Sequence, residues 1–227
     1  MEGAMRHALV TGASSGIGAA IVRRLLAEGW RVTGVARRAS AAAPHFRPFA
    51  CDLADRSARE RLLAEIGPVD ALVHAAGFME TGALGGLDPA ALARMWALHV
   101  AAAEHLANGL APGMDAGGRI VLIGSRTANG APGRSQYAAT KAALVALARS
   151  WAMELAAKGI TVNVVAPAAT DTPMLNDPAR ASVAPKLPPI GRLIRPEEVA
   201  AAVAFLLSAE AGAITGQVLT ICGGSSL

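Results

Sequence analysis

Tyr137 and Lys141 lie four residues apart in a stretch of helical periodicity, which places a phenol and an ammonium on one helix face. A phenol ordinarily titrates near about 10, and a neighbouring cation lowers that value toward neutrality. Such a group can give a proton to a developing alkoxide or take one from an alcohol. Tyr137 is the only tyrosine in the chain. Lys141 is one of three lysines, with Lys158 and Lys186, where the remaining 18 of the 21 basic residues are arginine, so the slender ammonium stands where a compact point charge is useful. A solvent-facing helix pair is the alternative reading of this spacing. Ser125 follows the β-rich run Arg119 to Ile123, and its hydroxyl can donate to a substrate oxygen. Ser135 is the other serine near Tyr137, but it falls in the lead-in of the same helix.

A second group of residues suits an anionic ligand. In Thr11-Gly12-Ala13-Ser14-Ser15-Gly16-Ile17-Gly18, glycines fall where a chain leaving a strand must turn tightly and open a helix. The helix N-terminus then offers free N–H groups and a positive dipole to phosphates. Ser14, Ser15 and Ile17 come with the glycines into this cofactor loop. After the second β-rich run the chain has Ala36, Arg37 and Arg38 where an NAD-type site places a carboxylate for the ribose hydroxyls. A guanidinium there suits a 2′-phosphate, so Arg37 points to NADP(H), with NAD(H) as the alternative.

Positioning these groups requires alternating elements. β-rich runs from His7 to Thr11, Arg31 to Ala36, Phe46 to Asp52, Ala71 to His74, Arg119 to Ile123, Thr161 to Val165 and Val218 to Ile221 predict strands. Between them, Gly16 to Glu28, Ser57 to Ile66, Pro89 to Leu110, Tyr137 to Lys158 and Pro196 to Ser208 predict helices. Repeated βα units imply an α/β fold with a doubly wound parallel sheet of about seven strands, whose ligand crevice lies beyond the carboxyl ends of the strands. The proline-rich stretch 168–194 breaks any continuous helix and reads as a lid over that crevice, with a linker as the alternative.

The 227 residues suit one domain, 1–227. No apolar run reaches membrane-spanning length, and the N-terminal residues resemble no secretory signal, so a cytoplasmic location is expected. Cys51 and Cys222 have no ligand spacing, and no metal site is expected. The net charge of +4 comes from scattered basic residues, which argues against a nucleic-acid surface.

Thr-Gly-x-x-x-Gly-x-Gly, Asp52, His74-Ala75-Ala76-Gly77, Ser125, Tyr137-Ala138-Ala139-Thr140-Lys141, Asn163 to Met174 and Thr215-Gly216-Gln217 occur in an order that resembles the classical short-chain dehydrogenase/reductase family. The resemblance runs from His7 to Gly224 and implies a Rossmann-type fold with Ser125, Tyr137 and Lys141 as catalytic residues. It also implies that Asp52 and Leu53 meet the adenine, although Asp52 could instead cap a helix. Ala75, Ala76 and Gly77 are expected along the cofactor, and Pro167, Thr170 and Thr172 at the nicotinamide carboxamide. The sequence departs from the family in three places, one of them Ala168 where a glycine is usual. His74 and Ala75 replace paired asparagines, which puts the polar support of that segment in question. His99 stands where an asparagine is usual, either as a proton-relay group holding a water or as a packed core histidine.

These readings lead to hydride exchange between NADP(H) and a small secondary alcohol or ketone in a homo-oligomer, expected to be a tetramer. The alternatives are a dinucleotide-binding sensor or scaffold without catalysis, and an isomerase or dehydratase that uses the cofactor transiently.

Overall fold

The computed structural model describes residues 5–38, 41–175 and 186–227. The chain folds in the order β1 (His7–Thr11), α1 (Gly16–Ala27), β2 (Arg31–Ala36), β3 (Phe46–Ala50), α2 (Arg56–Ile66), β4 (Ala71–His74) and α3 (Pro89–Trp96). It continues with α4 (Ala102–Leu110), β5 (Arg119–Ile123), α5 (Ser135–Leu155), β6 (Thr161–Pro167), α6 (Pro196–Leu207) and β7 (Val218–Ile221). All seven strands are parallel in the order β3-β2-β1-β4-β5-β6-β7. The order reverses at β1, and a crevice forms where the loops after β1 and β4 diverge.

Strand alternation builds two cores. Ala8 and Val10 of β1, with Val121 and Ile123 of β5, face the layer of α1 and α6, against Ile21, Leu25, Val203 and Leu207. Leu9, Ile120 and Leu122 face the other way, against Leu62 of α2, Leu106 of α4 and Leu144 of α5. Each such leucine contributes about 1.5–3 kcal/mol on burial. A sheet apolar on both faces requires helices on both, and this fixes where the strand ends, and so the site, must open.

One local feature departs from the sequence reading, and two add to it. The stretch Pro89 to Leu110 is not one regular helix, because Ala97–Ala101 winds as a π-helix between α3 and α4. A 3₁₀ turn, Arg126–Asn129, follows Ser125, whose side chain caps it by accepting the Thr127 N–H at 3.1 Å. Asp55, not Asp52, caps α2, accepting the Ser57 N–H at 2.8 Å. The expected lid 168–194 includes residues 176–185, which lie outside the described residues. Its base is tied down by bonds from Asp171 N–H to Ile194 C=O and from Ile194 N–H to Ala169 C=O, both 2.9 Å.

Candidate active site

A cleft of about 1300 Å³ opens at the carboxyl ends of the strands. Every residue expected to hold cofactor or perform chemistry lines it except His99. Ser135, the rival to Ser125, is exposed and does not line it.

The phosphate end is built from backbone. Gly12 has φ +68°, and a Cβ there would come within 2.9 Å of the Ala75 and Ala76 backbone. A Cβ on Gly18 would collide with the Gly12 carbonyl, so both glycines permit the close approach of loop and helix. Ser15 is the N-cap residue of α1 but makes no side-chain cap bond, and no acid sits in the first turn. The donors of that turn are therefore not claimed by a capping side chain, a cradle suited to a pyrophosphate. Asp52 lines the cleft and accepts the Ala54 N–H at 3.0 Å within its own turn. Arg37 is exposed at the end of β2 and forms no ion pair among the described residues.

At the other end, α5 presents Tyr137 and Lys141 inward, 7% and 4% exposed. The Lys141 ammonium donates to the Ile123 carbonyl at 2.9 Å and lies 5.7 Å from the centre of the Tyr137 ring. Burial pushes Lys141 down to about 7. Ser125, 9% exposed, uses a lone pair for Thr127, which leaves its own proton to donate. Thr172 donates to the Thr170 carbonyl at 3.3 Å, and Thr170 to that of Ala168 at 3.0 Å. Asn163 ties β6 to the loop before β7, donating to the Ile214 carbonyl at 2.7 Å and accepting the Gln217 N–H at 3.1 Å.

The two departures from asparagine form one buried network. His74 and His99 are both fully buried. The Leu98 carbonyl, in the π-helical turn, can only accept, so Nε2 of His74 donates to it at 3.1 Å. Nδ1 of His74 then accepts the Thr11 hydroxyl proton at 3.1 Å. Thr11 in turn accepts the N–H groups of Ala75 and Ala76, each at 3.0 Å. The polar support questioned in the sequence is thus supplied by Thr11 and His74. In His99, Nε2 accepts the Phe78 N–H at 3.1 Å, so the neutral ring carries its proton on Nδ1 and donates to Thr140 at 2.9 Å. Thr140 passes its own proton to the Tyr137 carbonyl at 2.8 Å. Both ring nitrogens are therefore engaged by protein groups, which leaves none for the water that the relay reading of His99 requires. Burial first, then Lys141, holds His74 down to about 3 and lowers His99 well below 6.5. Thr11, Phe78, Leu98 and Thr140 were not assigned these roles from sequence, because each partner is remote along the chain or donates from backbone.

A parallel doubly wound sheet with a glycine-lined crevice and a serine, tyrosine and lysine at one end defines a dinucleotide-dependent oxidoreductase architecture. The profile of a family described as enoyl-(acyl carrier protein) reductase matches residues 12–226. An uncharacterized oxidoreductase, YmfI of Bacillus subtilis, is 38% identical over 96% of this chain and 98% of its own length. The 3-oxoacyl-[acyl-carrier-protein] reductase FabG of Escherichia coli is 37% identical over 96% of both chains. A short-chain dehydrogenase from Burkholderia cenocepacia, solved in complex with NADP, superposes with a TM-score of 0.83 at 33% identity over 98% of both chains. The chain belongs to the short-chain dehydrogenase/reductase family and is an oxidoreductase.

Proposed function

We propose that the protein interconverts a secondary alcohol and a ketone using NADP(H). The observation that carries this reading is the juxtaposition of the buried Lys141 ammonium with Tyr137 at the floor of a glycine-lined cleft. When bound, the cofactor supplies or accepts the hydride. Gly12, the α1 N-terminus and Ser14 would hold its phosphates, Asp52 and Leu53 its adenine, and Pro167, Thr170 and Thr172 its carboxamide. Arg37 would meet the 2′-phosphate, a reading supported by its cleft position and by the NADP-bound relative. Tyr137 gives its proton to the carbonyl oxygen in reduction and takes it back in oxidation. Lys141 stabilises the phenolate electrostatically, and Ser125 donates to the substrate oxygen. His99 acts as a positioning residue through Thr140 and Phe78 rather than as a relay.

We propose further that residues 1–227 act as one dinucleotide-binding unit in the cytoplasm, with 168–194 as its lid, and that copies associate as a tetramer. No described helix is long and apolar enough to cross a membrane. Trp96 and Met153, 45% and 77% exposed on α3 and α5, are apolar surface suited to association. Light scattering showing only single chains would exclude that assembly. The enzymatic reading is tested by following NADPH consumption over a panel of ketones and the reverse reaction over alcohols. Stoichiometric turnover supports it, and binding of NADPH with no turnover across the panel would contradict it.

A further inference from the structure

The charged side chains lining the cleft divide by position. Arg37 and Asp52 stand at the ends of β2 and β3, and Lys141 lies beside Tyr137. The others, Arg94, Arg126, Arg134 and Lys186, are all cations, and no Asp or Glu side chain lines this part among the described residues. Arg94 is already neutralised, with bonds to Glu80 at 3.0 and 2.7 Å and to Asp88 at 3.3 Å. Arg126 is not. It directly follows Ser125, is half-buried, and forms no ion pair among the described residues. Its Nη1 donates to the Ser225 carbonyl at 3.1 Å, and Ser225 lines the same cleft.

A guanidinium carries five N–H donors in a rigid planar fork. One arm pinned to a carbonyl fixes the plane of the group while its net charge stays uncompensated, and that arrangement suits a planar oxyanion bound through paired hydrogen bonds. A flexible ammonium would not set an orientation. We propose that the substrate carries a carboxylate, and that Arg126 binds it so that the reacting carbonyl lies against Ser125 and Tyr137. This rests on the alcohol/ketone reading above and narrows its substrate to oxo acids and hydroxy acids. Lys186 adds a second cation on the cleft wall that favours entry of an anion.

Two assays separate the anion site from the chemistry. In the first, NADPH consumption is measured with 4-oxopentanoate and its longer oxo-acid homologues, each against its methyl ester. In the second, calorimetry on the NADPH-loaded protein compares hexanoate with methyl hexanoate, neither of which can be reduced. The acid is expected to exceed its ester by about tenfold or more in kcat/KM and in affinity, the size of a charge-assisted hydrogen bond. Arg126→Met should bring both ratios close to one, and added salt should weaken the acids and not the esters. Ratios taken within each variant are insensitive to a partial loss of folded protein, and the salt response of the parent decides the matter if the variant does not fold. Equal handling of acid and ester by the parent, or a preference that survives Arg126→Met, overturns the proposal. An Arg126-dependent preference for hexanoate without turnover of any oxo compound would instead defeat the alcohol/ketone reading and leave the anion site standing. A site built for phosphate would show inorganic phosphate displacing hexanoate with the higher affinity, which also overturns the assignment to a carboxylate.

Discussion

Nδ1 of His99 lies 2.9 Å from the Thr140 hydroxyl, so the π-helical turn is bonded to the residue immediately before Lys141. With Phe78 N–H on its other nitrogen, the ring bridges the segment after β4 to the catalytic turn of α5. His99→Leu removes both bonds and leaves a buried N–H and a hydroxyl short of a partner, at about 1–3 kcal/mol each. We expect a lower melting temperature and a reduced kcat. His99→Asn, whose amide can accept from one side and donate to the other, should retain most of both. Because the ring stays neutral, the pH–rate profile of the parent should contain no limb that His99→Asn removes between pH 5 and 9. Loss of such a limb would restore the titrating relay reading.

His74 is held to about 3 in the folded protein, whereas the unfolded chain binds a proton at this residue below about 6.5. Unfolding therefore takes up a proton between these values. The contribution is fully present above 6.5 and is lost as pH falls, by about 1.4 kcal/mol per pH unit. His74→Asn should reduce the pH dependence of urea stability between pH 6 and 4 by about that slope. An unchanged slope would mean that the imidazole is not held neutral.

The legible parts of this protein were those whose signal is local. Five strands, including β1 and β5, begin and end where the β-rich runs place them, and Tyr137 and Lys141 meet because helical spacing requires it. The π-helical turn was hidden because Ala97-Leu98-His99-Val100-Ala101 is equally apolar at a period of 3.6 or slightly more, so only the backbone bonding, with the Ala102 N–H on the Ala97 carbonyl, reveals it. The tautomer of His99 is set by Phe78 and Thr140, 21 and 41 residues away, and no spacing rule reports such partners. Strand β3 is two residues shorter than its apolar run, and β6 two longer, through Pro167, as edge pairing and the bond to β7 decide strand length.

Lys141 titrates near 7 in the folded protein against an ordinary 10.5, owing to burial. Between these values the unfolded chain holds a proton that the folded chain releases. Cofactor-free protein should therefore gain stability as pH rises through this window, by about 1.4 kcal/mol per unit. Lys141→Met should flatten that rise and abolish turnover together. Melting curves at pH 7 and 9 check this, and a parallel rise in the variant would assign the effect to another group.

Arg37 is the cationic side chain at the β2 end of the cleft. Competitive titration should show NADPH bound in preference to NADPH's dephosphorylated counterpart NADH, and Arg37→Ala should remove most of that difference, about tenfold for one charge-assisted contact. Equal affinities in the parent would refute the assignment.

The central claim is that Tyr137 is the proton donor, and Tyr137→Phe tests it most directly because the ring is kept and only the hydroxyl is lost. Turnover with a ketone that the parent reduces should fall by about 10²–10⁴, while the affinity for NADPH, measured by fluorescence titration, stays close to that of the parent. A variant that reduces the ketone at nearly the parental rate at neutral pH would contradict the account.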